Sequence, residues 1–165
     1  GADHTVDHTI DDFTATERRY DVILDNVGNR PLSRCRRILT PTGTLVVVTG
    51  AGGDRDRDTR HAMGEAAAEV ADLVVVTDDN PRTEDPERII DQVVSGSTGP
   101  IERIVDRAEA IRTAIREASA NDVVVIAGKG HEAYQEVHGN RMPFSDLEYA
   151  TTALQGRQGS AGEPS

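Results

Sequence analysis

A chain of 165 residues is long enough to bury one sizeable core, and its formal net charge of −11 excludes a nucleic-acid footprint or an anionic membrane surface as partner. Aromatic residues make up 3%, tryptophan is absent, and the apolar supply is mostly Val, Ile, Leu and Ala, a mix suited to parallel β-branched strands under alanine-rich helices. A lone cysteine, Cys35, cannot form an internal disulfide, which points to a reducing cytoplasm, and no apolar run reaches membrane-spanning length.

Residues 22–24 form the first short apolar run and predict a buried strand. Leu32, Cys35, Ile38 and Leu39 then fall on one helical face, with Cys35 a packed core thiol, before the turn at 40–43. The strand at 45–48 follows, then a helix lined by Met63, Ala66, Ala67 and Val70, and a strand at 73–76. Ile89, Ile90, Val93 and Val94 line the next helix, ahead of a strand at 101–105. Ala108, Ile111, Ile115 and Ala118 mark another helix, and 123–126 the last apolar strand. Alternation at this spacing implies right-handed βαβ units, hence a Rossmann-like α/β domain with a mostly parallel sheet flanked by helices. The pattern then changes to a hairpin, 134–137 and 141–144 around Gly139-Asn140, and a closing helix from 146 to about 154. Residues 155–165 are Gly, Ser, Pro, Gln and Glu with little else, the composition of a disordered tail.

In parallel sheets ligands gather at the carboxyl ends of strands. Four unusual loops fall there: Asp25-Asn26, residues 50–58, residues 78–82 and residues 128–132. Gly50-Ala51-Gly52-Gly53 can bring backbone close to a ligand, but no Gly-Lys-Ser/Thr ending follows, so it is not a phosphate-wrapping loop. Asp79-Asn80-Pro81-Arg82 offers a fixed turn, polar groups for an ammonium, and a planar fork for a carboxylate. Gly128-Lys129-Gly130-His131-Glu132 places a carboxylate in a glycine-lined loop, where it can bind a substrate ammonium, and holds the chain's one lysine, which with His131 can meet anions. Taken singly, a tight βα turn explains residues 50–53 at least as well, and an Asx turn with a solvent-facing arginine explains residues 79–82 better, whereas a mixed-charge surface loop leaves unexplained why the chain's one lysine falls in 128–132. His4, His8, His61 and His138 show no metal-ligand spacing and are read as surface residues.

Taken in order, Gly52-Gly53-Asp54-Arg55-Asp56, Asp79-Asn80-Pro81-Arg82, Asp106-Arg107-Ala108-Glu109-Ala110-Ile111 and Gly128-Lys129-Gly130-His131-Glu132 carry more weight. Over residues 50–154 the chain resembles the C-terminal domain of the UDP-N-acetylmuramoyl-tripeptide synthetases, the Mur ligases that add the third residue of the peptidoglycan stem peptide. The resemblance implies an amino-acid-binding domain of an ATP- and magnesium-dependent amide ligase, incomplete by itself. Its Asp-Asn-Pro-Arg form implies meso-diaminopimelate as the amino acid. On this likeness Arg82 grips the distal carboxylate, Asp79 and Asn80 assist, Gly128 and Glu132 hold the ammonium, and Arg55 contacts a carboxylate. No catalytic residue and no metal ligand is assigned.

Residues 1–49 resemble instead the later part of the nucleotide-binding domain of medium-chain quinone oxidoreductases, through Tyr20-Asp21-Val22-Ile23-Leu24-Asp25-Asn26-Val27-Gly28-Asn29 and Leu39-Thr40-Pro41-Thr42-Gly43. Their glycine-rich cofactor turn has no counterpart, so NADPH binding is not expected. Asp25 lands where the ligase has an Asp in its nucleotide-facing loop, making it the candidate for a cofactor contact. The expectation is then a chimera, natural or engineered, joined inside or just after 45–49, with an NADPH-dependent oxidoreductase fragment and a functionless fusion as the alternatives to a ligase domain.

Overall fold

The computed structural model describes residue 15 and residues 22–24, 41–55, 57–130 and 132–160. In chain order these form strand β1 (Val22–Leu24), β2 (Leu45–Thr49), helix α1 (Asp58–Val70), β3 (Leu73–Val76), α2 (Pro86–Val94), β4 (Ile101–Arg103), α3 (Arg107–Glu117), β5 (Val123–Ile126), β6 (Tyr134–Val137), β7 (Asn140–Pro143) and α4 (Asp146–Ser160). The predicted helix through Leu32 and Cys35, and Asp25 with its loop, lie outside the described residues.

Five strands make one sheet in the order β1-β5-β2-β3-β4, and all its pairings are parallel. β2 and β5 are β-branched runs buried on both faces, as a strand covered by helices on either side must be. Alternate side chains divide the core in two. Leu45, Val47, Val74, Val76, Val123 and Val125 meet Ala67 of α1 and Ile89, Ile90 and Val93 of α2. Val46, Val48, Val75, Val124 and Ile126 meet Ala110, Ile111, Ala114 and Ile115 of α3 and Ala150 of α4. This is the Rossmann-like arrangement that the strand–helix alternation implies. β6 and β7 form a separate antiparallel hairpin.

Local chemistry sets the helix starts. Asp85 accepts a hydrogen bond from the Glu87 backbone N–H at 2.9 Å ahead of Pro86, and Asp106 caps α3 through the Glu109 N–H at 2.9 Å. Gly64 sets how closely α1 and α2 approach, since a Cβ there would lie 1.9 Å from the Val93 carbonyl oxygen.

β2 takes in Thr49 and the second hairpin strand is shifted by one residue to 140–143, and two further boundaries differ more from the sequence reading. β4 ends at Arg103 instead of 105, because the Val105 carbonyl turns in to accept from the Asp78 N–H (3.2 Å) and the Thr77 hydroxyl (3.1 Å). α4 runs on to Ser160, so residues 155–160 belong to a helix and not to the expected tail. Gln and Arg are good helix formers, Ala153 and Leu154 pack on the core, and Arg157 Nη1 donates to the Ile115 carbonyl at 2.6 Å. Composition registered the polar residues but not that anchor.

Gly64→Ala is expected to force α1 off α2 and cost about 1–3 kcal/mol, the range for overpacking a close contact. Urea denaturation of the variant against the parent chain checks this.

Candidate functional site

The carboxyl ends of β2, β3 and β5 lie side by side, so the loops that follow them meet over one edge of the sheet. Asn80, 1% exposed, is where they join. Its backbone carbonyl accepts from the Gly53 N–H at 2.8 Å, tying in the glycine-rich turn after β2. Its side-chain oxygen accepts from Lys129 Nζ at 3.0 Å and from the Glu136 backbone N–H at 2.9 Å. Its side-chain nitrogen donates to Glu132 Oε2 at 2.6 Å. Because both partners of Oδ1 are donors, the amide has one satisfactory orientation.

Arg82 stands two residues further on with φ of 53°, a left-handed conformation that costs a non-glycine residue about 1 kcal/mol. The hairpin holds it there: its N–H donates to the Glu136 carbonyl at 3.0 Å, and its carbonyl accepts from the His138 N–H at 2.6 Å. Arg82 Nη1 donates to the Gly53 carbonyl at 2.5 Å, leaving the rest of the fork at the half-buried face of the loop. A Cβ on Gly53 would meet the Pro81 oxygen at 1.9 Å, so only glycine admits this contact. A Cβ on Gly52 would lie 3.0 Å from Arg82 Nη1 and 3.6 Å from Arg55 Cγ, so both arginines flank that glycine. Arg55 is exposed.

A second network holds the same two loops from behind. Arg60, buried in α1, donates to both carboxylate oxygens of Glu84 (2.9 and 3.1 Å), to the Gly52 carbonyl (2.9 Å) and to Gln92 (2.6 Å). Asp54 donates its N–H to Glu84 at 2.7 Å and accepts from the Thr83 hydroxyl at 2.7 Å. The Arg60 guanidinium and the Asp54 N–H hold the Glu84 carboxyl down at about 2.

On the β5 side, Lys129 is 2% exposed and reaches Asp79 Oδ1 at 3.1 Å, the Asp79 carbonyl at 3.4 Å and Glu132 Oε2 at 3.9 Å. Its sequence motif suggested a meeting with external anions; it meets the protein's own carboxylates instead. Gly128, which precedes Lys129 in the chain, has φ of 118°, and a Cβ there would lie 3.2 Å from the Gly50 carbonyl oxygen and 3.8 Å from Arg107 Nη2. Of the six residues singled out for the amino acid, Asp79, Asn80 and Glu132 are joined through hydrogen bonds to one another or to Lys129. Arg82 and Arg55 flank Gly52 beside them, and Gly128 packs against Gly50.

Sequence reasoning left out the polar groups beneath the site. Arg107, 1% exposed, donates to both oxygens of Asp146 at 2.8 Å and to the Ala127 and Asp78 carbonyls at 3.0 and 3.3 Å. Nothing in Asp106-Arg107 or Ser145-Asp146 marks them as a pair 39 residues apart. Asp78 lies under the same loop and lines a cavity of about 450 Å³ with Val105, Arg107, Gln135, Phe144 and Tyr149. Its Oδ2 accepts from Gln135 at 3.2 Å, while Oδ1 is buried with no hydrogen-bond partner. Burial pushes the Asp78 carboxyl up to about 6, against the pull of the Asp79 N–H.

The glycine-rich turn does not fit a nucleotide phosphate. The N–H groups of Gly53 and Asp54 are already engaged by the Asn80 carbonyl and by Glu84, so neither is free for an anion. Among the described residues no group of three or more His, Cys, Asp or Glu side chains could hold a metal ion. No helix among them is long and apolar enough to cross a membrane.

A family model described as "Mur ligase, glutamate ligase domain" matches residues 9–130. The chain belongs to the Mur ligase family. A protein of Pseudomonas putida named UDP-N-acetylmuramoyl-L-alanyl-D-glutamate--2,6-diaminopimelate ligase is 55% identical over 114 residues, which cover 68% of this chain and 23% of that protein. A ligase of the same name from Chlorobium phaeobacteroides is 48% identical over 136 residues, covering 82% of this chain and 26% of its own length. A solved structure bearing that name superimposes with a TM-score of 0.72 at 43% identity, over 77% of this chain and 26% of the other. The chain thus spans about a quarter of the length of these Mur ligases. The family match begins at residue 9, ahead of the boundary expected at 45–49. It takes in most of the segment read as an oxidoreductase remnant, and no comparison supports that remnant or a chimera. What the chain contains is a Mur ligase C-terminal domain.

Because folding raises the Asp78 pKa, ionised Asp78 opposes the folded state. Its favourable contribution is complete below the ordinary carboxylate range and is lost as pH rises through about 6. Asp78→Asn is expected to raise stability at pH 7.5 by at most about 3 kcal/mol and to flatten the dependence between pH 4 and 7. Denaturation midpoints at pH 5 and 7.5 measure it.

Proposed function

We propose that this chain, through residues 50–154, is the amino-acid-binding domain of a ligase that joins meso-diaminopimelate by an amide bond to a UDP-N-acetylmuramoyl dipeptide in peptidoglycan synthesis. The observation that carries the reading is the 2.6 Å hydrogen bond from Asn80 to Glu132. Through it the loops after β3 and β5 share one wall, with an acidic group at one end and the Arg82 fork two residues along the other. The relatives' printed names supply the identity of the amino acid.

In this reading the unused N–H groups of Arg82 take the distal carboxylate of diaminopimelate, a planar match between guanidinium and carboxylate. Glu132 and the carbonyl edge at Gly128 take the ammonium beside it. Arg55, exposed at the rim, meets a second carboxylate as the ligand arrives. Asp79 and Asn80 act from beneath, since Asp79 Oδ1 is held by Lys129 and the Asn80 side chain by Lys129, Glu132 and Glu136. Discrimination against lysine follows from charge: lysine has no carboxylate at its distal end, so its binding leaves the Arg82 fork desolvated and unpaired.

In the family ATP and magnesium activate the carboxyl that the amine attacks. The engaged turn at residues 52–54 offers no cradle for that group, so activation belongs to residues other than these. The reaction is placed in the cytoplasm, in keeping with a single cysteine.

Millimolar meso-diaminopimelate is expected to raise the thermal midpoint of the chain, with a stabilisation of about 1.4–2.7 kcal/mol at ten- to hundredfold excess over Kd. Arg82→Ala should abolish most of that shift. No shift with the parent chain overturns the reading, and an equal shift with lysine removes the role given to Arg82.

A further inference from the structure

Lys129 is the only lysine in a chain with eighteen Lys and Arg residues in all, and its side chain is fully buried. Such a group is costly to desolvate unless its partners are in place before any ligand arrives. They are. Three oxygens from two residues converge on Nζ within 3.4 Å: the Asp79 carbonyl, Asp79 Oδ1 and Asn80 Oδ1. The Phe144 ring lies 5.7 Å below, closing the fourth side. A compact ammonium can aim three N–H groups at three converging acceptors, whereas a planar guanidinium presents a flat fork. The geometry therefore explains why this position alone departs from arginine.

We propose that Lys129 is a positioning residue for amino-acid recognition, locking the Asn80 amide so that its NH2 group faces Glu132. Lys129 and the Glu136 N–H together saturate Asn80 Oδ1, which leaves Nδ2 no orientation other than toward Glu132. Without the ammonium, Asn80 loses one of its two reasons to present oxygen inward. Asp79 and Glu132 then face each other across the same pocket with no cation between them. Lys129 thereby sets where the Glu132 carboxylate stands before any ligand arrives. This rests on the reading of Arg82 and Glu132 as the amino-acid site.

The test uses the full chain and two readouts. The single lysine gives one ¹⁵Nζ signal, which needs no assignment among others, and the Asn80 side-chain amide gives a second. In the parent chain both are expected to be protected from exchange. Lys129→Met should release the Asn80 amide signal and weaken meso-diaminopimelate binding by about tenfold, the loss of one charge-assisted contact. Adding Glu132→Gln to Lys129→Met should then cost less affinity than Glu132→Gln alone, a coupling that a purely structural lysine would not produce. An unaltered Asn80 signal in Lys129→Met, or strictly additive affinities, overturns the proposal. If the parent chain binds no diaminopimelate while Lys129→Met still frees the Asn80 amide, the functional reading fails and the lock stands. Should Lys129→Met not fold, Glu132→Gln carries the test: an Asn80 amide that stays protected together with Lys129 supports the lock, because the side-chain carbonyl of that variant can still accept from it; an Asn80 amide that exchanges while Lys129 stays protected overturns it, as does an exchanging Lys129 signal in the parent chain.

Discussion

The side chain and carbonyl of Asn80 bind together every loop that matters at the carboxyl edge of this sheet. Four hydrogen bonds leave one residue for four others: Gly53 after β2, Lys129 and Glu132 after β5, and Glu136 in the hairpin. Parallel strands deliver those loops to the same edge, but strand pairing does not by itself hold one loop against the next. A buried amide does, because it has both donors and an acceptor, and each must be satisfied once water is excluded. The left-handed backbone of Arg82 depends on that anchorage, since the hairpin that pins it is itself fastened to Asn80.

Around this centre the protein buries more charge than its small core would suggest. Arg107 with Asp146, Arg60 with Glu84, and Lys129 with Asp79 each combine an inaccessible cation with a nearby carboxylate. Buried pairs of this kind add little net stability over apolar packing, because desolvation offsets most of the attraction. Their effect is on geometry. Each ties a loop to a helix or to another loop: Arg107 joins α3 to the start of α4, and Arg60 joins α1 to the loop after β3. Loops so restrained suit the proposed amino-acid site, which would hold two charged ends at a set distance. Asp78 is the exception, a carboxylate with one oxygen unpartnered, lying under the loop and bordering the cavity beside α3.

Much of the architecture was legible in the chain. Runs such as Val123–Ile126 and Leu73–Val76 are too short and too β-branched to be helices, and the helices between them show apolar residues at helical spacing. The motif at 79–82 and that at 128–132 were visible as unusual loops, and the order of motifs pointed to the family. Less legible was which way each polar group faces. Lys129 read as a candidate for external anions, yet it is buried among internal acceptors. The segment 155–160 read as a tail, although Arg157 fastens it to α3.

The difference has a physical cause. Local sequence determines what depends on neighbours within a few residues: the period of apolar side chains and the Asp caps at 85 and 106. The apolar period was enough for the fold class and for the sheet edge at which the unusual loops gather. The pairings of Asn80 with Glu132, and Arg107 with Asp146, span 52 and 39 residues, so they exist only after the sheet has ordered its strands. Tertiary structure alone decided which charges are satisfied internally and which are left to meet a ligand, because that depends on which loops the folded sheet brings within hydrogen-bonding distance.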